Sequence, residues 1–253
     1  MSATEVSWKV SWKVSAAGHR MAELADLDDE AVQALSRASK RPRIVGANLD
    51  VQAEGKPIVE SVLVQSGWAA RVRYLADGRK QILGLLLPGD LIGHCYQPFP
   101  VAISSIVALT KLTLCHAPSA EENQSLQHAY AISHSFDEAH MLAQIMRLGR
   151  MNAYERIADF FLELWERLTL AGLVSGNKMH HPLTQETVAD VTGLSAIHVN
   201  RTLGALRRDG ELIWETGAIR VPDPASLSAR IARVPTKVTT AQHKASTRAA
   251  AVH

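Results

Sequence analysis

Cysteine is scarce: only Cys95 and Cys115 occur in 253 residues, and their spacing is not CxxC. Two thiols exclude a four-cysteine iron–sulfur cluster held within one chain and argue against a disulfide framework, so a reducing compartment, the cytoplasm, is expected. No apolar run approaches the ~18 residues of a membrane span, and the N-terminus lacks an apolar core followed by a cleavage site. No membrane partner is expected. A dominant charge is also missing, since 27 Lys and Arg are balanced by 25 Asp and Glu for a net charge of +2. Binding of a polyanion by bulk charge is thereby excluded, and any such contact has to be local. Apolar residues, by contrast, make up 47% of the chain, enough for the cores of one large domain or two ordinary ones.

Along the chain, residues 1–20 contain the tandem repeat SWKVSWKVS, from Ser7 to Ser15. Two copies do not make a solenoid. The alternating Trp8, Val10, Trp12 and Val14 fit an edge strand or a partner contact, and a flexible arm is the preferred reading. Residues 21–40 read as one helix carrying Leu24, Leu27, Val32 and Leu35, ended by Arg41-Pro42-Arg43. From about 43 to 117 the pattern becomes short alternating strands. Trp68, Ala70, Val72 and Tyr74 fall on one face, Asp77-Gly78 and Pro88-Gly89-Asp90 are turns, and 106–109 and 112–114 add strands. A small β-roll is expected.

A helix start follows at Pro118–Glu122, with Ser119 as cap and Glu122 completing a capping box, and the helix runs to about Leu148. Ala129, Ile132, Phe136, Ala139, Ala143 and Met146 recur at alternating spacings of three and four, the seam of a coiled coil. The same stripe would also serve to pack the helix on the roll. Gly149 marks a hinge, and Asn152 caps a helix over 153–168 with Ile157, Phe160, Phe161, Leu164 and Leu168 inward.

The most telling stretch is 184–221. Thr184 caps a short helix with Val188, Ala189 and Val191 on one side, Thr192-Gly193-Leu194 supplies a turn, and Ser195 caps a second helix whose Val199, Leu203 and Leu206 face the core. Ala196, Ile197, His198, Asn200, Arg201 and Arg207 are left outward. Small Ala189 and Gly193 allow close approach of the two helices. ELIW and AIRV then form two strands around Glu215-Thr216-Gly217, a wing. Such a helix-turn-helix fits a major groove about 12 Å wide, although the geometry also occurs in purely structural domains. The segment's basic residues are balanced by Glu186, Asp190, Asp209, Glu211 and Glu215, so clustering has to do the work.

The stretches ADGRKQILGLLLPGDLIG, RMNAYERIADF and LTQETVADVTGLSAIHVNRTLGALRRDGEL, in that order, resemble the Crp/Fnr superfamily of bacterial transcription regulators, over roughly residues 20–228. The resemblance implies an α+β fold: an N-terminal β-roll of the cyclic-nucleotide-binding jelly-roll type, a long dimerisation helix and a C-terminal winged helix-turn-helix. The corresponding divisions are 1–20 arm, 21–118 β-roll sensor, 119–149 dimer helix, 150–228 DNA-binding domain and 229–253 disordered basic tail. It further implies a homodimer, double-stranded DNA with a palindromic promoter site, and RNA polymerase as partners, with the loop at 171–179 as the polymerase-contacting surface. The protein is expected to be a regulator and not an enzyme. The residues expected at DNA are Thr184, Gln185, Ser195, Ala196, Ile197, His198, Asn200 and Arg201, and those at the dimer interface are the six of the seam.

Departures from the family pattern narrow the expectation. Cyclic-AMP-binding members carry Glu after the Gly of PGDxxG and an Arg-Ser or Arg-Thr pair further on; here these positions read His94 and Val101-Ala102-Ile103. A buried phosphate would lack its bidentate Arg, so cyclic AMP is not expected. The oxygen-sensing branch needs four cysteines. His94-Cys95 and Cys115-His116 offer haem ligand types, and a haem-based gas or redox sensor is an alternative, but ordinary buried Cys and His account for them and no cofactor or metal is expected. Familiar members have Glu where this chain has Ile197, which accepts no hydrogen bond and suits a thymine methyl. A dimer whose winged domain binds protein rather than DNA is the second alternative.

Overall fold

A computed structural model describes residues 15–95 and 98–239. The SWKV repeat up to Val14 and the tail from residue 240 lie outside them. Two helices come first, α1 (Ala16–Leu24) and α2 (Asp29–Ser39), followed by eight strands: β1 (Arg43–Val45), β2 (Asp50–Gln52), β3 (Val62–Ser66), β4 (Ala69–Tyr74), β5 (Lys80–Leu86), β6 (Leu91–Ile92), β7 (Ser105–Ala108) and β8 (Leu112–His116). These strands form two antiparallel sheets, ordered β1-β8-β3-β6 and β2-β7-β4-β5. The chain continues with α3 (Gln124–Arg150), α4 (Ala153–Leu170), β9 (Val174–Ser175), β10 (Lys178–His180), α5 (Gln185–Thr192), α6 (Ala196–Arg208), β11 (Ile213–Glu215), β12 (Ala218–Arg220) and α7 (Pro224–Arg230). Among the described residues no helix is long and apolar enough to cross a membrane.

Strand alternation sorts side chains into layers. Val62, Val64, Ile92, Ile106 and Leu114 fill the space between the two sheets. Leu63, Leu91 and Cys115 turn the other way and are covered by Met21 of α1, Val32 and Leu35 of α2, and Leu126, Ala129 and Tyr130 of α3. On the far side, Ala70, Val72, Ile82 and Leu85 join one continuous core with Ile157, Phe160, Phe161, Leu164, Val188, Val199 and Leu206. The β-roll and the winged domain therefore share buried surface.

Several expectations require correction. The first helix begins at Ala16, inside the stretch read as an arm, because Ser15 Oγ accepts from Gly18 N; Arg20 is buried. What reads as one helix over 21–40 is two, since Asp28 accepts from Ala31 N at 2.8 Å and starts a new helix. Tyr74 is 56% exposed although Trp68, Ala70 and Val72 are buried. The long helix starts at Gln124 with Asn123, not Ser119, as its cap: Asn123 Oδ1 accepts from Leu126 N at 2.9 Å. Gly149 lies inside that helix, and the break falls at Met151 (ψ 144°), forced by Asn152 and its capping box with Glu155. The loop expected at 171–179 contains the β9–β10 hairpin, and β10 pairs with β12 to complete a four-stranded wing sheet, β11-β12-β10-β9. The first residues of the stretch read as a tail from 229 are ordered: α7 runs to Arg230, and the Arg233 guanidinium pairs with Asp159 at 2.8 Å and with Glu166.

Candidate nucleic-acid interface and effector cavity

The helix-turn-helix is built from local capping. Thr184 Oγ1 accepts from Thr187 N at 3.1 Å, and Gly193 adopts φ +65° at the end of α5. A Cβ there would also stand 3.1 Å from Leu148 Cδ2, so this glycine serves the approach of α3 as well as the turn. Ser195 Oγ accepts from His198 N at 3.3 Å and lies 3.0 Å from His198 Nδ1, which ties the first turn of α6 together. Val199, Leu203 and Leu206 are buried, while Ala196, Ile197, His198, Asn200, Arg201 and Arg207 are exposed. Ile197 is 81% exposed, an unusual place for a large aliphatic side chain. Thr184 is exposed at the head of α5, and the half-buried Gln185 next to it reaches α6, where Asn200 Nδ2 donates to Gln185 Oε1 at 3.2 Å.

Several acidic residues of this region are held in ion pairs, whereas Glu186 in the first turn of α5 is exposed. Asp190 pairs with Lys80 of the β-roll at 3.0 Å, Glu211 with Arg230 at 2.8 Å, and Glu215 with Lys178 at 3.0 Å and with Arg220. Hydrogen bonding from Lys178, together with its charge and that of Arg220, outweighs slight desolvation and holds the Glu215 carboxyl below its ordinary value. Arg201 and Arg207 have no carboxylate partner among the described residues, so the outward face of α6 is locally basic in a nearly neutral chain.

Between the β-roll, α3 and α4 lies a cavity of about 670 Å³ whose walls include His94, Cys95, Val101, Ile103, Arg71, Asp137, His140 and Arg167. His94 packs edge-on to Tyr130 at 5.2 Å, and burial, then the charge of His134, lowers its pKa. Arg71 is a cavity cation that sequence reasoning missed; it donates to Ser104 Oγ at 3.4 Å. Cys95 lines the cavity, Cys115 is buried among Leu63, Leu91 and Tyr130, and His116 faces solvent. Burial raises both thiols. Among the described residues no set of three or more His, Cys, Asp or Glu side chains is placed to hold a metal ion.

Behind the cavity runs a buried ionic chain. Asp90 accepts from Leu87 N at 2.7 Å and from Arg167 at 2.6 Å, and lies 3.2 Å from Arg20. Arg167 also pairs with Glu163 at 3.2 Å, Glu163 with Arg147 at 2.7 Å, and Arg147 with Asp159 at 2.7 Å. Burial alone would push the Asp90 and Glu163 carboxyls up. Arg167 and Arg20 more than offset this at Asp90, and Arg147, ahead of His140 and Arg167, brings Glu163 down to about 2. The Pro88-Gly89-Asp90 turn, read from sequence only as a turn, is an anchor to α4. The one signal available was charged residues at helical spacing, Asp159, Glu163 and Arg167, interleaved with the apolar face of Ile157, Phe160, Phe161, Leu164 and Leu168.

The seam on α3 is only partly available. Ala129 is fully buried inside the chain's own core and cannot lie on a dimer surface, a correction that follows from α1 and α2 covering the first turns of α3. Ile132, Phe136, Ala139 and Ala143 are half-buried, and Met146 is exposed. Leu142 and Ile145, which the seam did not include, are 59% and 65% exposed beside Met146 at 57%.

Comparison with known proteins matches residues 47–128 to the cyclic nucleotide-binding domain and residues 155–230 to the Crp-like helix-turn-helix domain. The chain is similar to the transcriptional activator protein FnrL of Cereibacter sphaeroides, 32% identical over 60% of this chain and 64% of FnrL, so it matches somewhat less than two thirds of that relative. With the nitrogen fixation regulation protein FixK of Bradyrhizobium diazoefficiens it shares 30% identity over 62% of this chain and 68% of FixK. Its fold is similar to that of FixK2 from Bradyrhizobium japonicum, with a TM-score of 0.66 at 23% identity, covering 78% of this chain and 98% of the other.

Proposed function

The chain belongs to the Crp/Fnr family, whose members are transcription regulators and not enzymes, and from that premise we propose that it binds a palindromic promoter site as a homodimer and contacts RNA polymerase. The observation that carries this reading is the outward face of α6: a Ser195-capped helix N-terminus followed by exposed Ile197, His198, Asn200 and Arg201, with the Asp190 and Glu211 carboxylates already paired elsewhere. Two such helices related by a two-fold axis enter successive major grooves about 34 Å apart, which sets half-site centres roughly 10–10.5 base pairs apart. Selection from random DNA tests it. An inverted repeat with that spacing is expected, and Arg201→Ala is expected to cost about 1–3 kcal/mol per half-site and relax one base position. An asymmetric motif, or unchanged discrimination in the variant, overturns the assignment. The β9–β10 hairpin, at the position of the expected polymerase contact, is the surface proposed for it.

The cavity supports an effector other than cyclic AMP. His94 replaces the ribose-binding Glu, and Ala102 is buried while Ile103 is 79% exposed where a phosphate-binding pair would be needed. Calorimetry with cyclic AMP or cyclic GMP is expected to show no specific binding; a one-to-one micromolar isotherm per subunit would contradict this.

A further inference from the structure

We propose that Asn200 reads an adenine in each half-site and that Gln185, from the other helix of the motif, is the positioning residue that makes this possible. The inference rests on the DNA-binding reading above and deepens it. The carboxamide of Asn200 projects from the exposed face of α6, and one of its two N–H groups is already committed to Gln185 Oε1 at 3.2 Å. A free asparagine side chain rotates about its terminal bond and presents its oxygen and nitrogen in either order. In the arrangement the structure holds, the bond to Gln185 orders the two ends: the Nδ2 side is turned toward α5, leaving the second N–H and the Oδ1 acceptor for a ligand.

One donor beside one acceptor selects among the four bases. Adenine alone offers an acceptor (N7) next to a donor (N6–H) in the major groove. Guanine offers two acceptors and would leave Oδ1 facing O6, thymine offers an acceptor and a methyl, and cytosine offers only a donor. Ile197, three residues earlier on the same exposed face, lies about 4.5 Å back along the helix axis, between one and two base-pair steps of about 3.4 Å. Its apolar side chain accepts no hydrogen bond and gains from a thymine methyl there. The half-site read by this chain accordingly contains an adenine near an A·T pair, with the family's carboxylate contact to cytosine absent.

Four variants test the proposal through base discrimination measured by selection and competition binding with the full-length chain. Asn200→Ala should flatten the adenine preference at one position, a loss of about 5- to 150-fold in discrimination, with lesser change elsewhere. Asn200→Asp removes the donor to N7 and should move the preference at that position toward cytosine. Gln185→Ala should loosen discrimination at that same position while the base preferences at the other positions of the half-site stay in place. Gln185→Glu keeps an acceptor for Asn200 Nδ2 but adds a negative charge near phosphates, so it should weaken all sequences alike and retain the preference. Adenine discrimination unchanged in Gln185→Ala, or no position whose base identity depends on Asn200, overturns the inference while the DNA-binding reading stands. If the native chain selects no DNA at all, that reading fails and takes this one with it.

Discussion

Asp137 and His140 line the cavity one helical turn apart and titrate in opposite senses. Burial, reinforced by the charge of Asp90 and opposed by Arg20, Arg167 and Arg71, raises Asp137 to about 6 from an ordinary 3.8. Burial and the charge of Arg167, opposed by Glu163 and Asp90, lower His140 to about 4 from 6.5. As pH falls from 6.5 to 4 the unfolded chain takes up the histidine proton first, so His140 withdraws stability over that window. As pH falls through about 6 toward 3.8 the native state takes up the Asp137 proton first, so that group adds stability. The two nearly cancel. Asp137→Asn is therefore expected to make stability fall more steeply on acidification than in the native chain, by roughly 1–3 kcal/mol between about pH 6 and pH 4, and to stabilise the fold near pH 7. His140→Asn is expected to show the reverse slope. Denaturant midpoints across this range check both, and parallel pH profiles for all three proteins would show that the cavity groups are not coupled to folding.

At the scale of elements, α3 carries two stripes one residue apart. Ala129, Ile132, Phe136, Ala139, Ala143 and Met146 form the apolar one, legible from spacing alone. Tyr130, Ser133, Asp137, His140, Gln144 and Arg147, with the same alternation of three and four, form the one that turns inward toward the cavity and α4. An inward face made of charged and polar groups defeats any reading that equates burial with apolarity, because its buried side chains find polar partners on other elements: Tyr130 at Pro118 O, Ser133 at Arg20, Gln144 at Val191 O, and Arg147 at Asp159 and Glu163. Helix caps were legible where a single Ser, Thr, Asn or Asp precedes an apolar pattern, as at Thr184, Ser195 and Asn152. They were misread where two candidates compete, as with Ser119 and Asn123. β9 is two residues long and β10 three, too short to display a period of two, and Pro222-Asp223-Pro224 reads equally as a strand terminator and as the capped, proline-led start of α7. Leu142, Ile145 and Met146 stay exposed beside the inward stripe. With the half-buried Phe136 and Ala143 they are the surface expected between subunits. Ile145→Asp is expected to give monomers with weak DNA binding, because it sets like charges across a dry interface. Sedimentation of the native chain as a monomer at micromolar concentration would overturn that assignment.

Across the whole molecule the DNA-binding half is fastened to the β-roll by two polar systems besides their shared apolar core. The first is a latch on the C-terminal end of α5: Gln81 of β5 donates to Asp190 O at 2.6 Å, Gln144 of α3 donates to Val191 O at 2.7 Å, and Arg156 of α4 donates to Thr192 O at 3.2 Å. Each satisfies a carbonyl that a helix terminus leaves unpaired, and Gln144 and Val191 also line the cavity. The C-terminal end of α5, next to the turn that leads into α6, is thus tied to groups that line the cavity. The second fastening is the ionic chain from Arg20 through Asp90, Arg167, Glu163, Arg147 and Asp159 to Arg233, which crosses α1, the turn before β6, α4, α3 and the segment after α7. Together with the apolar core that runs from β4 and β5 into α4, α5 and α6, it makes the two halves one cooperative unit. A single unfolding transition is expected by calorimetry. Asp90 is the most sensitive link, because its removal leaves Arg20 and Arg167 buried without their shared carboxylate and frees the turn that Leu87 N closes. Asp90→Ala is expected to cost about 3–5 kcal/mol and to separate the transition into two, the winged half melting apart from the β-roll. Two transitions in the native chain would show that the halves are not one cooperative unit, and an Asp90→Ala variant that melts as one unit at the native temperature would show that the halves are held without the ionic chain.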